Sequence, residues 1–512
     1  ENLRMSEIFK ENQSIIREVY HMNLYIYNEP VKTHRISPFL HSTFFEYFGS
    51  TVYDGIWVGK ESPIPNVDGI RKSVIDGCRE AGIAAVRWPG GCCADHYHWK
   101  DGVGKERKSR IHPIPCPDKI WHHDFGTDEF IHFCRLIGAE PIIVANTATG
   151  SPDEFLDWYE YCNGPVETKY GSYRAENGHP EPYNVKYWGI GNTDENVWWI
   201  DYNNPVAYAQ NYLKFTTAIR ELRNDLHIIG LGLSERHYLP GWVGKFLDYV
   251  THRQRQKGPD SLSVHHYIGS AKSRYKECGD AVDFSDENYY FSLDALKYYQ
   301  KDIDLHRGYI SEHTNERFKT TICFDEWSLW HSEATLENGT RQRQTLRDAI
   351  FAACTLHLFY RNCDIVEFAM ETQLVNLLQS LFETEGPKCY KTPTFYVFKL
   401  FKEHLKQTII PIYQDRPNSM TDCVASISSD GKKLVITMVN KDLHNKQKVN
   451  VRLDDMWILD RADILWNPNV RSMNTFEEPY NISDRPVETD IKNSMELPPH
   501  SIMRIILRNI GL

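Results

Sequence analysis

Polar side chains that could do chemistry follow short apolar segments throughout the first three quarters of the chain. They are carboxylates, amides, imidazoles and phenols, often beside tryptophan. A ligand with many hydroxyl groups needs such partners, because an unpaired buried polar group costs about 1–3 kcal/mol. We therefore expect a sugar ligand. The polar stretches that follow the apolar segments are Phe45-Glu46-Tyr47-Phe48-Gly49, Arg87-Trp88-Pro89-Gly90-Gly91-Cys92-Cys93, Asn146-Thr147, Gly191-Asn192-Thr193-Asp194-Glu195, His265-His266-Tyr267, Asp325-Glu326-Trp327 and Glu371-Thr372-Gln373-Leu374-Val375-Asn376.

Glu326 is the most informative of these side chains. It follows the apolar run Thr-Ile-Cys-Phe and lies between Asp325 and Trp327. A half-buried carboxylate in that position suits the nucleophile of a glycoside hydrolase. The structural alternative is an ion pair between Glu326 and an arginine on a neighbouring strand, such as Arg87.

Two histidine motifs, 122–124 (HHD) and 265–266, raise the alternative of a metal site. Neighbouring side chains of a strand point to opposite faces, so His265 and His266 cannot easily bind one ion. His265 and Tyr267 share a face, which favours a hydrogen-bonding role. The twelve cysteines form no C-x-x-C pair, and no P-loop, GxSxG, HExxH or GxGxxG motif occurs. We expect no metal site.

The elements that position these side chains alternate between strand and helix. Helix-like stretches separate most of the strand-like runs, which indicates a parallel sheet. Eight such units predict a closed (β/α)₈ TIM barrel of the α/β class, with an open doubly wound sheet as the alternative. The eight runs are Pro38–Phe48, Ile83–Gly91, Glu140–Asn146, Val185–Asn192, Leu226–Ser234, Ser261–Tyr267, Thr320–Trp327 and Cys363–Met370.

After about residue 395 short strand-like runs separated by turn signals predict a jelly-roll-like C-terminal β-sandwich. The expected division is an N-terminal helix and strands over 1–37, a barrel over 38–394 and a sandwich over 395–512. Residues 5–19 have helical spacing, and the early strands are expected to join the sandwich because chain termini often lie close together.

The composition is that of a globular protein, with 58 Lys and Arg against 69 Asp and Glu and a net charge of −11. This acidic balance argues against general nucleic-acid binding. No apolar run approaches the ~18–20 residues that span a bilayer, and the polar N-terminal segment predicts no signal peptide. We expect a soluble protein whose compartment stays open between cytoplasm and, after leader removal, periplasm or exterior.

Seven motifs in this order resemble the family 51 glycoside hydrolases, chiefly α-L-arabinofuranosidases. Together they cover about residues 38–390. They are Phe45-Glu46-Tyr47-Phe48-Gly49, Arg87-Trp88-Pro89-Gly90-Gly91-Cys92 with Tyr97-His98-Trp99-Lys100-Asp101-Gly102, Phe125-Gly126-Thr127-Asp128-Glu129-Phe130, Lys186-Tyr187-Trp188-Gly189-Ile190-Gly191-Asn192, Ser263-Val264-His265-His266-Tyr267, Phe324-Asp325-Glu326-Trp327 and Gln373-Leu374-Val375-Asn376.

The resemblance implies a cofactor-independent enzyme that retains anomeric configuration. Its substrates would be arabinofuranosides of plant polysaccharides or oligosaccharides, and many family members are oligomers, so a homo-oligomer is expected. The resemblance makes Glu326 the nucleophile. It also implies five contacts to the sugar, which are Glu46, Cys92, Asn192, Tyr267 and Gln373. His265 and Trp99 are secondary candidates for the same role.

One position departs from the family pattern. After the fourth strand the family has Gly-Asn-Glu, in which the Glu is the general acid/base, whereas this chain has Gly191-Asn192-Thr193. Threonine cannot supply that proton, and losing a general acid/base typically costs about 10²–10⁴ in rate.

Three explanations compete for this departure. Glu195 or Asp194 could replace the missing acid, although Glu195 would lie ~6–7 Å further along a continuing strand. The chain could instead be an impaired or inactive sugar-binding homologue, or an engineered acid/base variant. As a third explanation, the enzyme could act only on substrates with good leaving groups, or transfer sugars instead of hydrolysing them. We rank an arabinofuranosidase with an altered acid/base first.

Overall fold

Eight parallel strands close into a barrel in the computed structural model, which confirms the predicted fold class. The strands are adjacent in chain order, and each of the eight predicted runs overlaps one of them. The model describes residues 21–27, 34–112, 119–192, 204–223, 225–234, 240–270, 273–313, 319–415, 420–491 and 494–511. The barrel strands are Ser42–Phe44, Ala85–Trp88, Glu140–Ala145, Tyr187–Ile190, His227–Leu231, Ser261–Ile268, Thr321–Leu329 and Val366–Glu371.

Side chains from alternate positions of these strands fill the barrel interior, as the two-residue repeat of a strand requires. They form a compact cluster of their own, separate from the larger core between the strands and the helices. The interior of the eight described strands is therefore a packed apolar core with no channel through it. The interior cluster consists of Phe44, Ala85, Ile142, Ile229, Cys323, Phe368 and Met370.

Helices surround the barrel, and their ends follow from local sequence. Pro152 and Pro205 begin helices behind Ser151 and Asn204, whose side chains accept backbone N–H bonds. The helices are Lys72–Ala81, Thr127–Ile137, Pro152–Asn163, Lys169–Glu176, Pro205–Leu222, Trp242–Leu247, Asp286–Asp294, Lys297–His313, Leu346–Arg361 and Pro393–Phe401, with a π-helix at Asp248–Arg253. Across the described ranges, no helix is long and apolar enough to cross a membrane.

Two sheets share one core at the C-terminal end of the chain. The six-stranded antiparallel sheet has the order Thr408–Ile410, Thr421–Ile427, Lys433–Asn440, Ser501–Asn509, Trp457–Leu465 and Asp484–Pro486. The four-stranded sheet has the order Ile412–Gln414, His21–Ile26, Gln447–Arg452 and Met495–Leu497. The early strand His21–Ile26 thus runs parallel to Gln447–Arg452. The predicted helix over 5–19 lies outside the described residues.

Helix Pro393–Phe401 spans the expected boundary at 394/395. Its Phe398 ring lies parallel to the Trp327 ring at 6.4 Å, and its aromatic residues belong to the barrel's outer core. We propose that the barrel unit ends after this helix, because dividing the chain at 395 would split a helix that packs against strand seven.

Buried histidines connect the barrel to the six-stranded sheet. His404 bonds to Ser426 Oγ at 2.7 Å and to Thr437 Oγ1 at 2.8 Å, and His357 bonds to the same Thr437 oxygen at 2.7 Å. Burial holds the pKa of His404 well below its usual range, and nearby His357 lowers it further. Burial also lowers the pKa of His41 to about 3. These imidazoles are therefore neutral in the folded protein.

Acidification should weaken the fold through these histidines. Below pH ~6.5 the unfolded chain protonates them while the folded chain does not, so each lowers the free energy of unfolding by up to about 1.4 kcal/mol per pH unit. We expect the free energy of unfolding of His404→Gln to fall less steeply with decreasing pH than that of wild type, by a slope equivalent to one bound proton. Denaturant titrations at pH 5–8 measure both slopes. The partly exposed His132→Gln is the control. Equal slopes in wild type and His404→Gln would contradict the prediction.

Candidate active site

A bulge in strand seven turns two adjacent carboxylates toward the barrel mouth. Along strands six and seven, Ser263 pairs with Cys323 but His265 pairs with Glu326, so strand seven carries one extra residue there. A bulge breaks the alternation of faces. Asp325 and Glu326 both reach Arg87, whereas Phe324 and Trp327 pack in the outer core.

Arg87, on strand two, is the buried cation that holds this group together. Its Nη1 donates to Glu326 Oε1 at 3.0 Å, its Nε lies 3.5 Å from Asp325 Oδ2, and its Nη2 donates to Asn192 Oδ1. Burial by itself would raise the pKa of Asp325, but the charges of Arg87 and His265 hold it below its usual range. The ion pair between Glu326 and Arg87 that the sequence raised as an alternative is thus present.

Strand six supplies the second set of contacts to Glu326. The Tyr267 hydroxyl donates to Glu326 Oε2 at 2.5 Å, and His265 Nδ1 lies 3.4 Å from the same oxygen. His265 Nε2 lies 3.4 Å from Asp325 Oδ1, which also accepts from Ser263. Burial alone would lower the pKa of His265, but the carboxylates of Glu326 and Asp325 raise it above its usual value.

A third carboxyl group, Glu46, lies beyond strand one on the other side of Gly91. It accepts from the backbone N–H of Cys93 at 3.1 Å and from the Gln373 amide at 2.9 Å. A Cβ on Gly91 would lie 2.8 Å from Glu326 Oε1 and 3.5 Å from Glu46 Oε2, so both carboxyl groups crowd this backbone. Only glycine leaves room there.

The surroundings of Glu46 and Asp325 shift the pKa values of their carboxyl groups in opposite directions. Burial raises the pKa of Glu46 to about 7, and the nearby charge of Glu326 adds to the rise. Asp325 keeps its charge because it faces Arg87. Carboxyl groups whose environments separate their protonation states are typical of acid–base and nucleophilic sites.

Most of the predicted site residues come together here. Asn192, His265, Tyr267 and Glu326 form one hydrogen-bonded and ion-paired group around Arg87. Glu46 and Gln373 form a second pair across Gly91, and Cys92 is a half-buried neighbour of that glycine. His266 faces the other way, toward Asp302 and Tyr275, as strand alternation predicts.

Trp99 is not part of this group. It is only 1% exposed, its Nε1 donates to the carbonyl oxygen of Glu154, and its ring lies parallel to that of Trp158. Such a buried ring has no free face for a ligand. Thr193 and Glu195, the acid/base position and its candidate replacement, lie outside the described residues.

Sequence reasoning did not identify the contributions of Asp325 and Ser263. Asp325 shares the inward face of Cys323, and the bulge brings Glu326 to the same face. The sequence did indicate a buried ion pair at Arg87, since a charged residue inside the buried strand Ala85–Trp88 needs a buried partner.

Comparisons with known proteins place the chain among arabinofuranosidases. Residues 78–272 match a family model described as alpha-L-arabinofuranosidase 1 domain, and residues 325–501 match an alpha-L-arabinofuranosidase C-terminal domain. The chain is 30% identical to an intracellular exo-alpha-L-arabinofuranosidase of Bacteroides ovatus over 92% of each chain.

Solved structures agree with this match. The arabinose complex of an alpha-L-arabinofuranosidase from Thermotoga maritima has a TM-score of 0.82 at 28% identity, covering 95% of this chain and 100% of that one. The GH51 arabinofuranosidase of Xanthomonas axonopodis pv. citri has a TM-score of 0.83 at 26% identity with the same coverage.

Arg87→Met should destabilise the protein strongly. Removing the cation leaves Asp325 and Glu326 buried without their partner, a change that typically costs about 3–5 kcal/mol. Denaturant unfolding at pH 7 measures this loss, with Arg223→Met, which breaks a surface ion pair with Asp225, as the control expected to change stability little. Equal effects of the two substitutions would show that Arg87 does not hold the site together.

Proposed function

The chain belongs to the α-L-arabinofuranosidases of glycoside hydrolase family 51, and on that premise we propose that it removes α-L-arabinofuranosyl groups with retention of configuration. The proposed substrates are arabinose-containing plant oligosaccharides or polysaccharides. One observation carries the proposal: the Glu326 carboxylate is held by Arg87 and Tyr267 at the barrel mouth, beside Glu46.

Glu326 is the proposed nucleophile. Its carboxylate attacks the anomeric carbon, the glycosidic C–O bond breaks, and the leaving oxygen takes a proton. Water then attacks the same carbon and loses a proton, and the bond to Glu326 breaks to release arabinose. Arg87 and Tyr267 donate to opposite oxygens of Glu326, which fixes the carboxylate plane and supports its negative charge.

The neighbouring polar groups are proposed to bind the sugar hydroxyls. Glu46 has a pKa of about 7, so below pH 7 it carries a proton and can donate as well as accept. Gln373 and Asn192 are oriented by Glu46 and Arg87 respectively. We also propose Cys92, Tyr267 and His265 as contacts, since they border the same group.

The acid/base position departs from the family pattern. Thr193 stands where the family pattern has Glu, so leaving groups that need protonation should be cleaved slowly. We propose Glu195, or else Asp194, as the replacement acid. The competing proposal is an impaired or inactive sugar-binding homologue, or an engineered variant, and the same threonine favours it. Homo-oligomerisation stays a prediction.

Glu326→Ala tests the nucleophile. Without the attacking carboxylate, hydrolysis of an aryl α-L-arabinofuranoside should fall by a factor on the order of 10⁴ or more, as for other covalent nucleophiles. The control is Glu333→Gln, which changes a glutamate that pairs with Arg343 on the loop after the same strand. Full activity of Glu326→Ala in a stopped or continuous aryl-release assay would refute the assignment.

Thr193→Glu tests the acid/base position. If the remainder of the site is competent, this variant should release alkyl or sugar leaving groups about 10²–10⁴ times faster, while aryl groups that leave without protonation gain less. Wild type should show a steep dependence of rate on leaving-group acidity. Glu195→Gln then separates the alternatives, since undiminished turnover of natural arabinosides would exclude Glu195 as the acid.

A further inference from the structure

Two histidines and an aspartate meet on the outer helix layer, outside the proposed active site. One ligand atom from each of Asp248, His252 and His313 lies within 4.8 Å of the other two. Asp248 and His252 belong to the π-helix that leads into strand six, and His313 ends the helix that precedes strand seven. Helix ends that precede barrel strands lie at the end opposite the catalytic mouth.

The π-helix shapes one half of this cluster. His252 Nδ1 lies 3.3 Å from Asp248 Oδ1, and Arg253 Nε donates to Asp248 Oδ2 at 2.8 Å. The wider turn of a π-helix brings two successive residues beside Asp248, and such segments are frequent at functional sites. Arg253 therefore holds one oxygen of Asp248 and leaves the other facing His252.

His313 supplies the other half. Its side chain is only 10% exposed, and its buried Nδ1 has no hydrogen-bond partner among the described residues. The His252 and His313 ring centres are 5.2 Å apart. An imidazole nitrogen with no hydrogen-bond partner is available as a metal ligand.

We propose that Asp248, His252 and His313 bind one Zn²⁺ ion, with water completing its coordination. Two imidazoles and one carboxylate suit zinc, whereas Mg²⁺ and Ca²⁺ prefer oxygen ligands. Zinc bonds of about 2.0–2.2 Å require the three ligand atoms to approach one another. His252 can make that movement, because its side chain is 54% exposed. The ion would tie together the chain segments that enter strands six and seven.

The full chain, stripped with chelator and exchanged into metal-free buffer, is titrated with Zn²⁺ by calorimetry, and Co²⁺ absorption reports the ligand field. We expect one ion per chain and a Tm that rises with Zn²⁺ concentration. His252→Ala and His313→Gln should each weaken binding at least tenfold. His444→Ala is the matched control, because exposed His444 pairs with Asp286 at 2.7 Å but belongs to no such triad among the described residues.

Unchanged Zn²⁺ affinity in both His252→Ala and His313→Gln would overturn the site, as would the absence of binding to wild type. Circular dichroism checks that each variant is folded, and the exposed His252 position tolerates substitution with least disturbance. The metal-free protein should hydrolyse aryl arabinofuranosides at the rate of the zinc-loaded protein. Failure of the zinc site is therefore distinguishable from failure of the proposed hydrolase activity.

Discussion

The buried charge of Arg87 is the interaction on which the candidate site depends. A guanidinium inside a barrel is costly unless every side of it is matched, and here it is matched by Asp325, Glu326 and the Asn192 amide. Because these partners come from strands seven and four, Arg87 fixes both relative to strand two. The same charge keeps Asp325 ionised in a place where burial alone would protonate it.

The need to balance the charge of Arg87 explains the bulge in strand seven between Phe324 and Trp327. A regular strand with Cys323 and Asp325 inside the barrel would send Glu326 outward into the helix layer, away from Arg87. One extra residue in strand seven brings Glu326 inward beside Asp325, and Trp327 packs in the outer core. The bulge therefore serves the charge balance of the barrel mouth and the packing of the helix layer at once.

The contact between the barrel and the C-terminal sheets combines neutral and charged groups. Thr437 Oγ1 bonds to both His357 and His404, and Arg361 of a barrel helix pairs with Asp422 of the six-stranded sheet. Neutral hydrogen-bonded groups cost less to bury than charges. Buried charges around Arg87 thus hold the mouth together, whereas uncharged polar contacts, apolar packing and the Arg361–Asp422 ion pair join the barrel to the C-terminal sheets.

The sequence by itself determined the eight barrel strands, the C-terminal sheets and most members of the site, because alternation of strand and helix and the polar ends of strands are local properties. The strand ends and the family resemblance also predicted Glu46, Asn192, Tyr267, Glu326 and Gln373 as site residues. Only the tertiary structure decided that Asp325 and Glu326 face the same side, that Trp99 is buried, and that His252 and His313 meet. These facts depend on an extra residue in one strand and on contacts between segments sixty residues apart, which no local periodicity records.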